Sequence, residues 1–206
     1  GEGWRAAAAA GPVGALGVPA PVVDYPGSPK ARLDRALLVE PMRRWRDRQC
    51  RLADLIVTPA AEVLPAFVPR ERIAELEWGA DTERFSPGAE GPVPFARRPG
   101  AVLAVFAGAF RAWHGAANLV RAIRDLRASG RDDIDAVLIG DGPELARAKA
   151  EAAGVTGITF TGAVAHDQMP ACLAAADIGA APFDVAAHPP LQMAFYWSPL
   201  KIFEYM

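Results

Sequence analysis

Two cysteines in 206 residues, Cys50 and Cys172, are too few and too widely spaced for a disulfide framework or a thiolate metal site. Two free thiols suit a reducing, cytoplasmic setting. The three histidines, His114, His166 and His188, are scattered without acidic or thiol partners at ligand spacing, so no metal centre is expected. No apolar run reaches the roughly 18–20 residues that span a bilayer. The alanine tract at 6–10 is shorter still and lacks a cleavage context, so it is not read as a signal peptide. Charge of one sign is also missing. Lys and Arg number 22 against 24 Asp and Glu, a net of −2, and no overall field draws the chain to nucleic acid. A G-x-G-x-x-G fingerprint is absent, which removes the usual argument for a nicotinamide cofactor. There is no initiator Met at Gly1, and the helical pattern LKIFEYM stops at Met206 without a cap, so a fragment is expected.

What is present reads as a globular α/β chain, 51% hydrophobic and 22% charged. Residues 4–16 favour an alanine-rich helix, and PVVDY at 21–25 a short buried strand. A long helix is expected over 31–51, interrupted near Pro41, with Leu33, Leu37, Leu38, Met42 and Trp45 at helical spacing. Between Lys30 and Arg51 stand eight basic and three acidic residues, a local net of +5. This helix is a candidate for peripheral contact with an anionic membrane surface, or simply a solvated face. Strands follow at 54–58 and 72–77, separated by a short helix over 59–67. The Pro- and Gly-rich stretch 89–100 reads as a linker between a first domain, 1–88, and a second, 101–206.

Beyond that linker strands and helices alternate. Strands are expected at 101–107, 134–139, 157–160 and 177–181, and helices at 115–129, 144–153, 166–176 and from Ser198. Such alternation means βαβ units and a parallel sheet, with ligands bound beyond the carboxyl ends of its strands. The loops at that edge are therefore the candidates. Val102–Gly115 runs from a strand through Gly108 into a helix start, where backbone N–H groups attract phosphate; Arg111 and His114 add side-chain donors. Gly140-Asp141-Gly142-Pro143 follows the next strand, its glycines suited to close backbone approach. In SPLKIFEYM, Ser198 suits a helix N-cap and Pro199 the first helical position. Lys201 in the first turn opposes the helix dipole and calls for an anion, and Glu204 can accept two hydroxyl hydrogen bonds, as from a ribose.

Seven segments in one order carry a resemblance: RLADLIVTPAAEVLPAF, RIAELEWGADTERFSP, FAGAFRAWHG, VLIGDGPELARAKAEAAGV, ITFTGAV, LAAADIGAAPF and SPLKIFEYM. Over about residues 50–206 the chain resembles glycosyltransferase family 4, retaining enzymes of the GT-B fold. The resemblance implies two Rossmann-like domains, the first incomplete at its N-terminus and the second truncated at its C-terminus. It implies sugar transfer from a nucleotide-diphosphate donor to a glycan or lipid-linked acceptor, with retained configuration and no cofactor or obligatory metal. By position, Arg111, His114 and Lys201 would face the diphosphate, with Gly108 and Gly115 allowing its approach. Ala163 and Val164 would hold the base through backbone groups. Glu204 would bind the ribose, with Gly140, Gly142 and Ser198 on the nucleotide side.

The chain departs from the family pattern at three places. Ala109 and His114 stand where Arg and Lys are usual, and Tyr196 stands where a Glu eight residues before Glu204 is usual. The acceptor-side glycine-rich loop and the catalytic histidine have no counterpart, so no catalytic residue is assigned and the fragment alone is expected to be nearly inactive. A non-catalytic nucleotide-binding or partner module of the same fold, or a nucleotide-sugar epimerase, are the alternatives. An epimerase would need an acidic pair, for which the chain offers no candidate.

Overall fold

The computed structural model describes residues 39–187 and 199–206. The expected elements at 4–16 and 21–25, the first part of the expected helix 31–51, His188 and Ser198 lie outside the described residues. The described chain falls into two compact units, one closing at Glu77 and one opening at Trp78.

The first unit opens with α1 (Glu40–Leu52). Pro41 stands in its first turn, where a missing N–H costs nothing. Glu40 at the start and Arg51 at the end suit the helix dipole. Cys50 turns inward onto Ala53, Ile56 and Val68. The guanidinium of Arg72 donates to the carbonyls of Ala53 (2.8 Å) and Cys50 (3.3 Å), covering the helix C-terminus. Strands β1 (Ile56–Thr58) and β2 (Ile73–Glu75) pair in parallel, Ile56 opposite Ile73. The helix expected over 59–67 shrinks to one 3₁₀ turn, Ala61–Val63. Pro65 holds Leu64 extended, which ends the turn there.

The second unit carries a four-stranded parallel sheet: β3 (Val102–Ala107), β4 (Ile134–Ile139), β5 (Ile158–Gly162) and β6 (Ile178–Gly179), in the spatial order β5-β4-β3-β6. Helices α2 (Ala116–Ala128), α3 (Leu145–Glu151) and α4 (Met169–Ala174) form the crossovers, and α5 (Leu200–Tyr205) follows β6. Helix α4 is shorter than the 166–176 expected because Pro170 restricts its entry to the first turn.

Alternate residues of β3 and β4 feed two faces. Ala104, Phe106, Ala136 and Leu138 pack under α2 with Phe110 and Ala148. Leu103, Val105, Ala107, Val137 and Ile139 pack with Cys172 on the other side. Burial on both faces is what helix-covered parallel strands require, and it explains their nearly continuous apolar runs. Residues 89–100 lie within this unit. Val93 and Phe95 support the second face, and Arg97 makes a two-oxygen pair with Asp177 at 2.6 and 2.8 Å.

Candidate functional site

The order β5-β4-β3-β6 contains a reversal. From β3 the chain steps outward to β4 and β5, then returns to the opposite side of β3 as β6. At such a reversal of strand order α/β sheets hold ligands in a crevice at the carboxyl edge, here between the loops that follow β3 and β6. The loop 108–115 lines one side and residues 180–187 the other. Asp184 N–H donates to Trp113 O at 2.9 Å, and the Asn118 side chain donates to Pro182 O at 3.2 Å, so the two loops brace each other. Gly115, at φ +70, starts α2 against this contact; a Cβ there would lie 1.7 Å from Pro182 O.

The loop 108–115 is held from below by β4. Phe110 N–H donates to Asp141 O and Glu144 N–H to Phe110 O, both at 2.9 Å. The Phe110 ring is fully buried, edge-on to Phe106 with centroids 5.4 Å apart. Gly140 and Gly142 make this possible. A Cβ on Gly140 would meet Gly108 O at 2.0 Å, and one on Gly142 would meet Phe110 N at 2.7 Å. Both glycines thus have a packing reason of their own: they seat the loop that faces the crevice.

Lys201 enters from α5. Its Nζ lies 4.5 Å from the Phe106 ring centroid and 5.1 Å from that of Phe183. It lies beside Gly108 of the loop, where a Cβ would come 3.2 Å from Nζ. The ammonium is buried and has no hydrogen-bond acceptor among the described residues. Burial pulls its pKa down to about 8, against a smaller opposing pull from Glu204. A buried cation whose donors find no acceptor among the described residues, set between two ring faces, is suited to an incoming anion.

His114 shares the site. Its Nδ1 lies 2.5 Å from Ala109 O, and its ring meets Phe183 edge-on with centroids 6.1 Å apart. Burial, then Lys201, lower its pKa, and the bond to Ala109 O opposes them. With Nδ1 donating to the carbonyl, a neutral ring presents Nε2 as an acceptor; protonation turns it into a donor toward an anion.

The structure therefore brings Gly108, His114, Gly115 and Lys201 together. Arg111 is exposed on the same loop, its guanidinium carbon 5.5 Å from the Trp113 ring, near enough to His114 to depress it electrostatically. Glu204 lies one turn along α5 from Lys201 and acts on it through charge. Ala163 is exposed in the loop after β5, while the Val164 side chain packs into the second core face.

Sequence reasoning missed Phe106, Phe110, Phe183 and Tyr205. None of the four has a role of its own in the sequence reading. Tyr205 is one unassigned position on the last helix. Its hydroxyl instead reaches Ala107, accepting from N–H at 2.9 Å, and burial raises its pKa to about 12.

A family model described as "Glycosyl transferases group 1" matches residues 101–206. Among solved structures, that of WaaG, a glycosyltransferase involved in lipopolysaccharide biosynthesis, is similar at 18% sequence identity and a TM-score of 0.44. The similarity covers 56% of this chain and 33% of that one, so the chain spans about a third of that relative's length. No curated protein matches.

Proposed function

The chain belongs to the glycosyl transferases group 1 family, and from that membership we propose that its second unit holds the nucleotide-diphosphate part of a sugar donor. The whole protein then transfers the sugar to a glycan or lipid-linked acceptor with retained configuration, as in the family 4 enzymes of GT-B fold. The observation that carries the reading is the buried Lys201 ammonium between Phe106 and Phe183, lying beside Gly108 at the chain-reversal crevice.

The chemistry follows from the charges. Breaking the bond from sugar to phosphate leaves extra negative charge on the diphosphate, and groups already aimed at that charge lower the barrier. Lys201, Arg111 and a protonated His114 supply it from side chains, and the N-terminus of α2 adds backbone donors. They do so with neither a cofactor nor an obligatory divalent ion. Glu204 takes the ribose hydroxyls and the backbone of Ala163 and Val164 the base, with Gly140, Gly142 and Ser198 on the nucleotide side. No residue of the chain is assigned as the catalytic group.

The test is product analysis with radiolabelled nucleotide sugars, using the intact protein and a panel of glycan and lipid-linked acceptors. Labelled product with the donor's anomeric configuration supports the reading. Binding of nucleoside diphosphate without any transfer would favour a non-catalytic module. An isomerised sugar released without an acceptor would favour an epimerase.

The domain reading is part of the same proposal: residues 1–88 lead out of the acceptor-side domain, 89–100 connect it while packing on the second unit, and 101–206 form the donor-side domain. Helix α1 is proposed to rest on the cytoplasmic face of a membrane. Trp45 and Leu52 lie exposed beside Arg44 and Arg48 on its outer side, the pairing of apolar and cationic groups that favours an anionic interface. Among the described residues no helix is long and apolar enough to cross a membrane. Co-sedimentation with phosphatidylglycerol vesicles but not phosphatidylcholine vesicles, lost in Trp45→Ala with Arg48→Ala, is the expected result.

A further inference from the structure

Strand β3 needs a partner on each edge, and on one edge the supply runs out. On the β6 side, Asp177 N–H donates to Leu103 O at 2.9 Å and Ala180 N–H to Val105 O at 2.7 Å. The next groups in that row belong to Ala107, beyond the end of β6 at Gly179. There the Tyr205 hydroxyl takes over, accepting from Ala107 N–H at 2.9 Å and donating to Ala107 O at 3.4 Å. Its ring lies against Gly179, where a Cβ would come within 2.4 Å of it. One side chain of α5 thus substitutes for the missing rung of the sheet.

That rung lies immediately before Gly108. Lys201 lies one helical turn before Tyr205 on the same helix, and its ammonium would lie 3.2 Å from a Cβ added at Gly108. Helix α5 therefore grips the strand end twice: Tyr205 at the Ala107 backbone and Lys201 over Gly108. We infer that the Tyr205 hydroxyl is a positioning group that sets the distance between the Lys201 ammonium and the loop 108–115, and so tunes affinity for the donor diphosphate. It never touches the donor; it acts through Lys201 and Gly108. The inference rests on the donor-site reading above.

The test is a double-mutant cycle in the intact protein, titrating ADP, GDP and UDP by calorimetry into the wild type, Tyr205→Phe, Lys201→Ala and the double variant. Tyr205→Phe is expected to weaken the best-bound nucleotide about tenfold. In the Lys201→Ala background the same change should do much less, because the group being positioned is gone. Amide exchange reads the mechanism separately: the Ala107 amide should exchange faster in Tyr205→Phe, with Leu103 and Val105 unchanged. Affinity equal to wild type in Tyr205→Phe overturns the inference. So does an equal loss in both backgrounds accompanied by faster exchange along the whole strand, which marks general loosening. If the wild type binds none of the three nucleotides, the donor-site reading itself fails, and the inference falls with it.

Discussion

Replacing Lys201 by Met should make the protein more stable while weakening its affinity for diphosphate. The wild-type ammonium is buried and unpaired among the described residues, and its pKa falls from the ordinary 10.5 to about 8. At 1.36 kcal/mol per pH unit, that fall corresponds to a folding penalty of roughly 3 kcal/mol at neutral pH. Attraction to the faces of Phe106 and Phe183 returns roughly 1–2 kcal/mol. Met keeps the length of the side chain and removes the charge, so a net gain of about 1–2 kcal/mol at pH 7 is expected.

The gain must depend on pH with a definite sign. Between about pH 8 and 10.5 the unfolded chain still holds the lysine proton and the folded chain has released it. Wild-type stability therefore rises through that window, and the advantage of Met shrinks to its packing contribution by pH 10.5. Urea unfolding of both proteins at pH 7, 9 and 10.5 measures this directly. A Met variant less stable than wild type at pH 7, or an advantage that does not change with pH, would refute the burial argument.

Three further outcomes are expected. Diphosphate binding at pH 8 should take up about half a proton, because a bound anion restores the charge of a Lys201 that is half neutral there; calorimetry in buffers of different ionisation enthalpy detects it, and affinity should fall as pH rises above about 8. Gly115→Ala should cost about 3 kcal/mol or more in urea unfolding, since its Cβ would meet Pro182 O, whereas Gly130→Ala at φ +83, with open space around it, should cost only the roughly 1–2 kcal/mol of a left-handed backbone. Arg111→Ala should weaken nucleoside diphosphate binding by about 1–3 kcal/mol and flatten its salt dependence, read by titration at two ionic strengths.

The parallel sheet of the second unit was legible because its signals are local and repeated. VLAVFA and IDAVLI are apolar on both faces, each is followed by a glycine and a helix of suitable length, and strand β4 falls on the residues expected. The first unit was less legible. Two prolines, Pro59 and Pro65, cut the stretch read as a helix, and Pro41 could be taken as a break or as a first-turn residue. In the site, Gly108, His114 and Lys201 could be nominated from residue type and position in the loops. Their meeting over Phe106 and Phe183 could not, because it depends on β6 returning beside β3, a step of sheet order that no local pattern encodes. Tyr205 was invisible for the same reason: only a β6 that stops at Gly179 leaves Ala107 for its hydroxyl.

The central claim is that the crevice between the β3 and β6 loops receives a nucleoside diphosphate. Backbone amide shifts recorded while ADP, GDP or UDP is titrated into isotope-labelled protein test it most directly. The account predicts that one nucleotide moves Gly108, Arg111, His114, Val164 and Lys201 together and saturably, and that Lys201→Ala shifts the saturation to higher nucleotide concentration. Saturable shifts confined to the opposite edge of the sheet, or none with any of the three nucleotides, would contradict it.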